Sequence, residues 1–294
     1  MIESIFIEEL CEDLRLEPGL ENIKEEEVDK KLIDLMSLVH IFPLSECVSS
    51  YIQWKERFNE LEKALSPLTV LMVTPNEEEG LFSKHLYVNL ALASNLMEGA
   101  ISLALMNKAE GSGILMRSAL ELWLDGMLLE HLRSPKFRRK VDENWSRRDS
   151  VTKFLKTLRG ESNRLGVNIE KTIWLYCEQR TYLRKGDVVY WLEQWGCFEP
   201  ITEASRSIKH IWEWLSKEVH GQLIPLVSRI DRLKFLRETI GLIDLFLVGV
   251  INTLRNLASE KLYEVDNDSW EKFVRSVNES GLSFAKEAIK KLRR

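Results

Sequence analysis

Apolar residues recur along this chain at intervals of three and four, the period of a helix that buries one face. No alternating apolar and polar run is closed by an Asn-Gly or Asp-Gly turn, so the strand signal is nearly absent. Punctuation then places the helix ends. "LEPGLEN" separates a short first helix from an acidic second one, and "FPLSE" opens a helix to about Leu65. "VTPNEEEG" precedes an apolar segment from about Leu81 to Asn107, and "KAEGSG" reads as a tight turn into a second apolar helix over 112–133. In "RSPKF", Ser134 takes the N-cap and Pro135 the first helical position. "RGESNRLG" and "WGCFEP" read as loops. "VSRID" is a capping-box variant in which Ser228 and Asp231 open a helix to about Leu262. "DSWE" repeats it with Asp268 and Glu271, and the last helix ends in "KKLRR", whose cations suit the negative end of its dipole.

The pattern predicts an all-α bundle of roughly ten helices in a single unit spanning 1–294. Acidic N-terminal helices fill 1–75, a core runs over about 80–262, and a C-terminal helix covers 267–294. The helices 81–107 and 112–133 should form an antiparallel hairpin, with the apolar helix 228–262 beside them in the centre.

Composition changes this picture in a few places. With 294 residues, 45% of them hydrophobic and 30% charged, the chain can bury a large core. Its net charge of −5 gives no global attraction to nucleic acid or an anionic membrane. The charge is uneven, however. Residues 1–35 hold twelve acids against four bases, a net of −8, and residues 131–164 hold eleven bases against four acids, a net of +7. The cysteines 11, 47, 177 and 197 form no CxxC pair, which points to a reducing cytoplasm. "MIESIFIEELCEDL" has acids where a signal peptide has bases. "YVNLALASNLMEGAISLALM" is broken by Asn89, Asn95 and Glu98, so it reads as a buried helix, and no membrane partner is expected. Scarce Gln beside abundant Lys and Glu hints at a thermophilic source. No HExxH, P-loop or GxSxG occurs, and no Glu-x-x-His precedes any of the five histidines, so neither metal nor cofactor is expected.

Candidate chemistry begins in "ILMRSALELWLDGMLL", where Arg117, Glu121 and Asp125 fall four apart and form one stripe on an apolar helix. Charge in a dry interior needs pairing. The stripe is therefore either a structural network or the wall of an interhelical pocket. Asn95, Glu98 and Ser102 share a face of the preceding helix and would supply the facing wall. In "WLSKEVHGQ", Ser216 and His220 share a face, and Gly221 places His220 at a helix C-terminus, where the dipole favours its protonated form. His220 is then either a capping residue or a general acid or anion ligand. Asp244, alone among apolar residues, is expected to pair with a base or to form a further wall. The basic run contributes Arg138, Arg139, Lys140, Arg147 and Arg148 as phosphate contacts, and nine aromatics over 174–214 are either core or a stacking platform for bases. The same basic run also suits the acidic N-terminal helices or a partner protein.

"ILMRSALELWL" followed by "WLSKEVHG" resembles an uncharacterised prokaryotic all-helical family allied to the HEPN superfamily, over about residues 80–260. The resemblance implies an HEPN-like multi-helix bundle with peripheral helices. It also implies a homodimer and a place in RNA processing, toxin–antitoxin or anti-phage systems. It marks Arg117, Glu121, Ser216 and His220 as the catalytic positions of a ribonuclease-like site, with Asp125, Asn95 and Glu98 binding the ligand, RNA or a nucleotide. Active HEPN ribonucleases carry Arg and His on one helix with about four to six residues between them. Here Arg206 and His210 have only three between, and His220 has no Arg at that distance.

Overall fold

The computed structural model describes residues 44–71, 77–106, 108–144, 146, 148–176, 183–199, 204–219, 229–260, 262 and 267–292, with Glu12, Arg15, Asn22 and Lys24. Among the described residues there are eleven helices and no strand: α1 (Leu44–Leu71), α2 (Glu77–Leu105), α3 (Ala109–Arg133), α4 (Pro135–Glu143), α5 (Ser150–Leu165), α6 (Ile169–Tyr176), α7 (Lys185–Gln194), α8 (Ala204–Val219), α9 (Arg229–Ser259), α10 (Asn267–Glu279) and α11 (Ser283–Leu292). The expected all-α class and bundle are thus observed.

The helix hairpin is α2 against α3, and α9 packs on both. Met116, Leu120, Trp123 and Met127 recur at three and four along α3, and all are fully buried. Trp123 stacks on Phe246 of α9 with ring centroids 4.5 Å apart, and its indole N–H donates to the Phe246 carbonyl at 3.3 Å. Gly249 permits this approach. A Cβ there would stand 2.6 Å from both the Met127 sulfur and a Trp123 ring carbon. The core runs without a break from Val48 in α1 to Ile289 in α11. The helix α1 packs on α9 and α10, so the part of the chain from Leu44 onward belongs to the central bundle. The other expected N-terminal helices lie outside the described residues. Helices α7 and α8 lie on α3, while α4, α5 and α6 close one end. Two stretches, Val88–Leu105 and Phe235–Ser259, are long and apolar enough to cross a membrane by length and composition, and the second is mostly buried inside the protein.

Several local expectations need correcting. The turn of the hairpin is at residues 106–108, and Gly111 and Gly113 lie inside α3. They belong to the helix contact rather than the turn, since a Cβ on Gly111 would meet Leu103 of α2 at 2.9 Å. The helix that "FPLSE" opens runs on to Leu71. The expected cap Ser228 lies outside the described residues, and α9 ends at Ser259. The C-terminal helix is two helices, broken at Ser280–Leu282, and Asp268 sits inside the first turn of α10 rather than at its cap. By contrast, Ser134 does cap α4, accepting the Phe137 N–H at 2.9 Å with Pro135 at the first turn.

Asp244 explains the break. Its carboxylate accepts the backbone N–H groups of Phe284 at 3.0 Å and Ala285 at 3.1 Å, so a residue of α9 caps α11 from across the core. Glu60 of α1 accepts the Gly281 N–H at 2.7 Å. Asp244 therefore binds neither a neighbouring base nor the expected pocket. Burial pushes its carboxyl above the ordinary carboxylate range, against the pull of those two amides. Asp244→Ala should cost about 1 kcal/mol, measured by urea unfolding, with Asp244→Asn retaining most of the loss.

Candidate functional site

The polar stripe of α3 forms a ladder, each rung docking a different element. At the first rung the Arg117 Nε donates to Glu121 Oε1 at 2.9 Å, and the Trp212 indole N–H of α8 donates to the same oxygen at 3.3 Å. Arg117 and Glu121 are 19% and 28% exposed. The two terminal nitrogens of Arg117 have no protein partner among the described residues. Ser216, one turn beyond Trp212 and half-buried, donates to the Trp212 carbonyl at 2.7 Å and keeps its hydroxyl lone pairs for other donors. His220 lies outside the described residues. So α8 brings Ser216 to the helix that carries Arg117 and Glu121, with Trp212 as the contact that sequence reasoning missed.

At the second rung Asp125 meets the Lys185 ammonium of α7 at 2.5 Å, with side chains only 5% and 10% exposed. Asp125 is therefore committed to holding α7 on α3, a role that a stripe on one helix does not reveal. The expected facing wall divides. Asn95 is exposed on α2, while Glu98 is half-buried and its carbonyl accepts the Ser102 hydroxyl.

The third rung was not anticipated. His131 Nε2 lies 2.9 Å from the Cys197 sulfur and 3.1 Å from the Thr253 hydroxyl, joining α3, the turn after α7, and α9. All three residues are fully buried. Burial lowers the His131 pKa to about 3 and pushes the Cys197 thiol up. A protonated thiol and a hydroxyl both donate, so Nε2 accepts and the ring proton resides on Nδ1. A neutral imidazole beside a protonated, sealed thiol is not a nucleophilic pair, because thiol chemistry needs the exposed thiolate. Next to it, Glu130 and Arg133 form an ion pair at 3.1 Å, only 2% and 4% exposed. Burial outweighs the attraction of Arg133 and raises the Glu130 pKa. The signal for His131 was available, since it continues the line Met116–Leu120–Trp123–Met127 at the next fourfold step. Counting it within a basic run hid that periodicity.

The basic run is largely absorbed by the fold. Arg138 donates to the carbonyls of Leu132 at 2.7 Å and Arg133 at 2.8 Å, closing the C-terminus of α3, and pairs with Glu170 at 2.9 Å. Lys140 donates to the Gln194 carbonyl at 2.6 Å and lies over the Trp195 ring at 5.4 Å. Arg159 grips both oxygens of Asp142. Arg139 and Arg148 are exposed, and Arg147 lies outside the described residues. The exposed cations of this region are Lys136, Arg139, Arg148, Lys153 and Lys156. Most of the described aromatics serve the interior. Trp191 is buried and donates to Asp149 at 2.5 Å, Trp195 packs edge-on against Phe137 at 5.2 Å, and Trp214 packs on Phe235 at 4.8 Å. The side chain of Trp174 is outside the described set, and Tyr190 is exposed. Among the described residues no group of three or more potential metal ligands occurs.

Comparison with protein-family models, with curated proteins and with solved structures finds no match to this chain.

Proposed function

We propose that this chain is an HEPN-like cytoplasmic protein that grips a phosphate of RNA or a nucleotide through Arg117, in RNA processing or in a toxin–antitoxin or anti-phage system. The observation that carries the reading is the Arg117–Glu121–Trp212 contact, because it joins the two sequence motifs on which the resemblance rests. Glu121 fixes Nε, so the terminal fork of Arg117 is held in one orientation with both ends open. A pre-oriented fork suits two oxygens of one phosphate. Ser216 stands one turn from the Trp212 contact and adds a neutral donor or acceptor. The exposed Lys136, Arg139, Lys153 and Lys156 are the cations left for a longer strand. His131 takes no part, being sealed and neutral.

The test is binding of a labelled single-stranded RNA, with host-cell growth as a second readout. Arg117→Ala should abolish the effect that the wild type shows, and Arg117→Lys should restore little of it, since an ammonium lacks the fork. Stability should change by only about 1 kcal/mol or less, because the pair is partly solvated and Trp212 keeps its hold on Glu121. Unchanged RNA binding and toxicity in Arg117→Ala would refute the assignment.

A second reading rests on Asp125 and the His131–Cys197–Thr253 group. Both are consumed by contacts within the chain, as expected of a non-catalytic interaction module with a structural polar network. On that reading RNA binding is flat with salt, whereas phosphate contacts make it fall as salt rises.

A further inference from the structure

The outward face of the α2–α3 hairpin is uncharged over several turns. Val88 is 48% exposed, Leu92 46% and Ile114 49%, which is half of the six large hydrophobic side chains that stand exposed among the described residues. Helical spacing sets Val88, Leu92, Asn95, Gly99 and Ser102 on one stripe of α2. The close contacts of Gly99 with Leu115 and of Leu103 with Gly111 bring Ile114 and Ser118 of α3 alongside. In a chain that is 30% charged, a surface strip of this length with no ionised group is unusual. The nearest carboxylate, Glu98, is on its flank, half-buried and engaged within the chain.

We propose that this face pairs with the same face of a second copy of the chain, about a twofold axis passing near Asn95. A twofold contact sets each residue near the axis against its own copy, so any charge there would meet a like charge. This strip has none. A different protein is normally selected by complementary charges, and the strip offers it none to read. Asn95 is the one amide exposed in the middle of the strip. Its side chain carries both a donor and an acceptor, so it can bond to its own copy, which neither a carboxylate nor an ammonium can do. The pairing does not depend on the Arg117 reading, because Arg117 lies on the neighbouring face towards α8.

Sedimentation equilibrium of the full chain tests the proposal. The wild type should be a dimer at micromolar concentration, and Leu92→Lys should weaken it by about tenfold or more while the helical circular dichroism is unchanged. In a second variant, Asn95→Cys, mild oxidation should join the introduced thiols across the axis, identified as a self-linked peptide by mass spectrometry. A wild type that stays monomeric, a dimer untouched by Leu92→Lys, or introduced thiols that never join would each overturn it.

Discussion

Lowering the pH from 6.5 towards 3 should strip roughly 5 kcal/mol from the folded state through His131 alone. The imidazole takes a proton near pH 6.5 when free, but in the fold only at about pH 3. A base whose folded pKa is depressed contributes stability above its free value, and that contribution is lost as the pH falls towards the folded value. The cause is burial, since the ring lies fully inside between α3, the Cys197 turn and α9. A proton added to Nε2 would also face two donors, the Cys197 thiol and the Thr253 hydroxyl. Glu130 and Asp244 act in the opposite sense, because their raised pKa values make the fold more stable as they protonate. The decisive measurement is therefore a difference. Urea unfolding of the wild type and of His131→Gln, followed from pH 7.5 to 4, should give curves that converge as the pH falls. Parallel curves would show that His131 is solvated.

Lys185→Ala should destabilise the protein by about 3–5 kcal/mol at neutral pH, because it leaves the Asp125 carboxylate buried and unpaired. The double replacement of Asp125→Leu with Lys185→Met should recover most of that loss, since it removes both desolvation costs and keeps the volume. The contrast with Arg117→Ala is informative. Both residues pair with a carboxylate of the same helical stripe, yet the Arg117 pair is several times more exposed. If Lys185→Ala cost less than about 1 kcal/mol, the second rung would be a solvated contact. The role assigned to it, docking α7 on α3, would then fall.

The all-helical class was legible because helical periodicity is local. Leu120, Trp123 and Met127 are spaced for one face whatever lies opposite. The hairpin α2–α3, the cap at Ser134 and the stripe Arg117–Glu121–Asp125 follow from spacing of the same kind. Partners were not legible in this way. Trp212 stands 91 residues from Glu121, Lys185 60 from Asp125 and Cys197 66 from His131. Asp244 looked like an isolated acid until α11 presented two free amides to it. A linear count also treated Arg133 and Arg138 as solvent charges, although one is buried against Glu130 and the other closes a helix.

The chain by itself thus determined where it coils, which face of each coil is apolar and which residues lie four apart, because these depend on backbone geometry over a few residues. Only the tertiary structure decided which charges are spent internally and which remain open. That outcome depends on what each group meets across the core when water leaves, and two positions adjacent in number can meet opposite surroundings. In α3 the fork of Arg117 keeps an open end, whereas Asp125, two turns along the same stripe, is closed off by a lysine from α7.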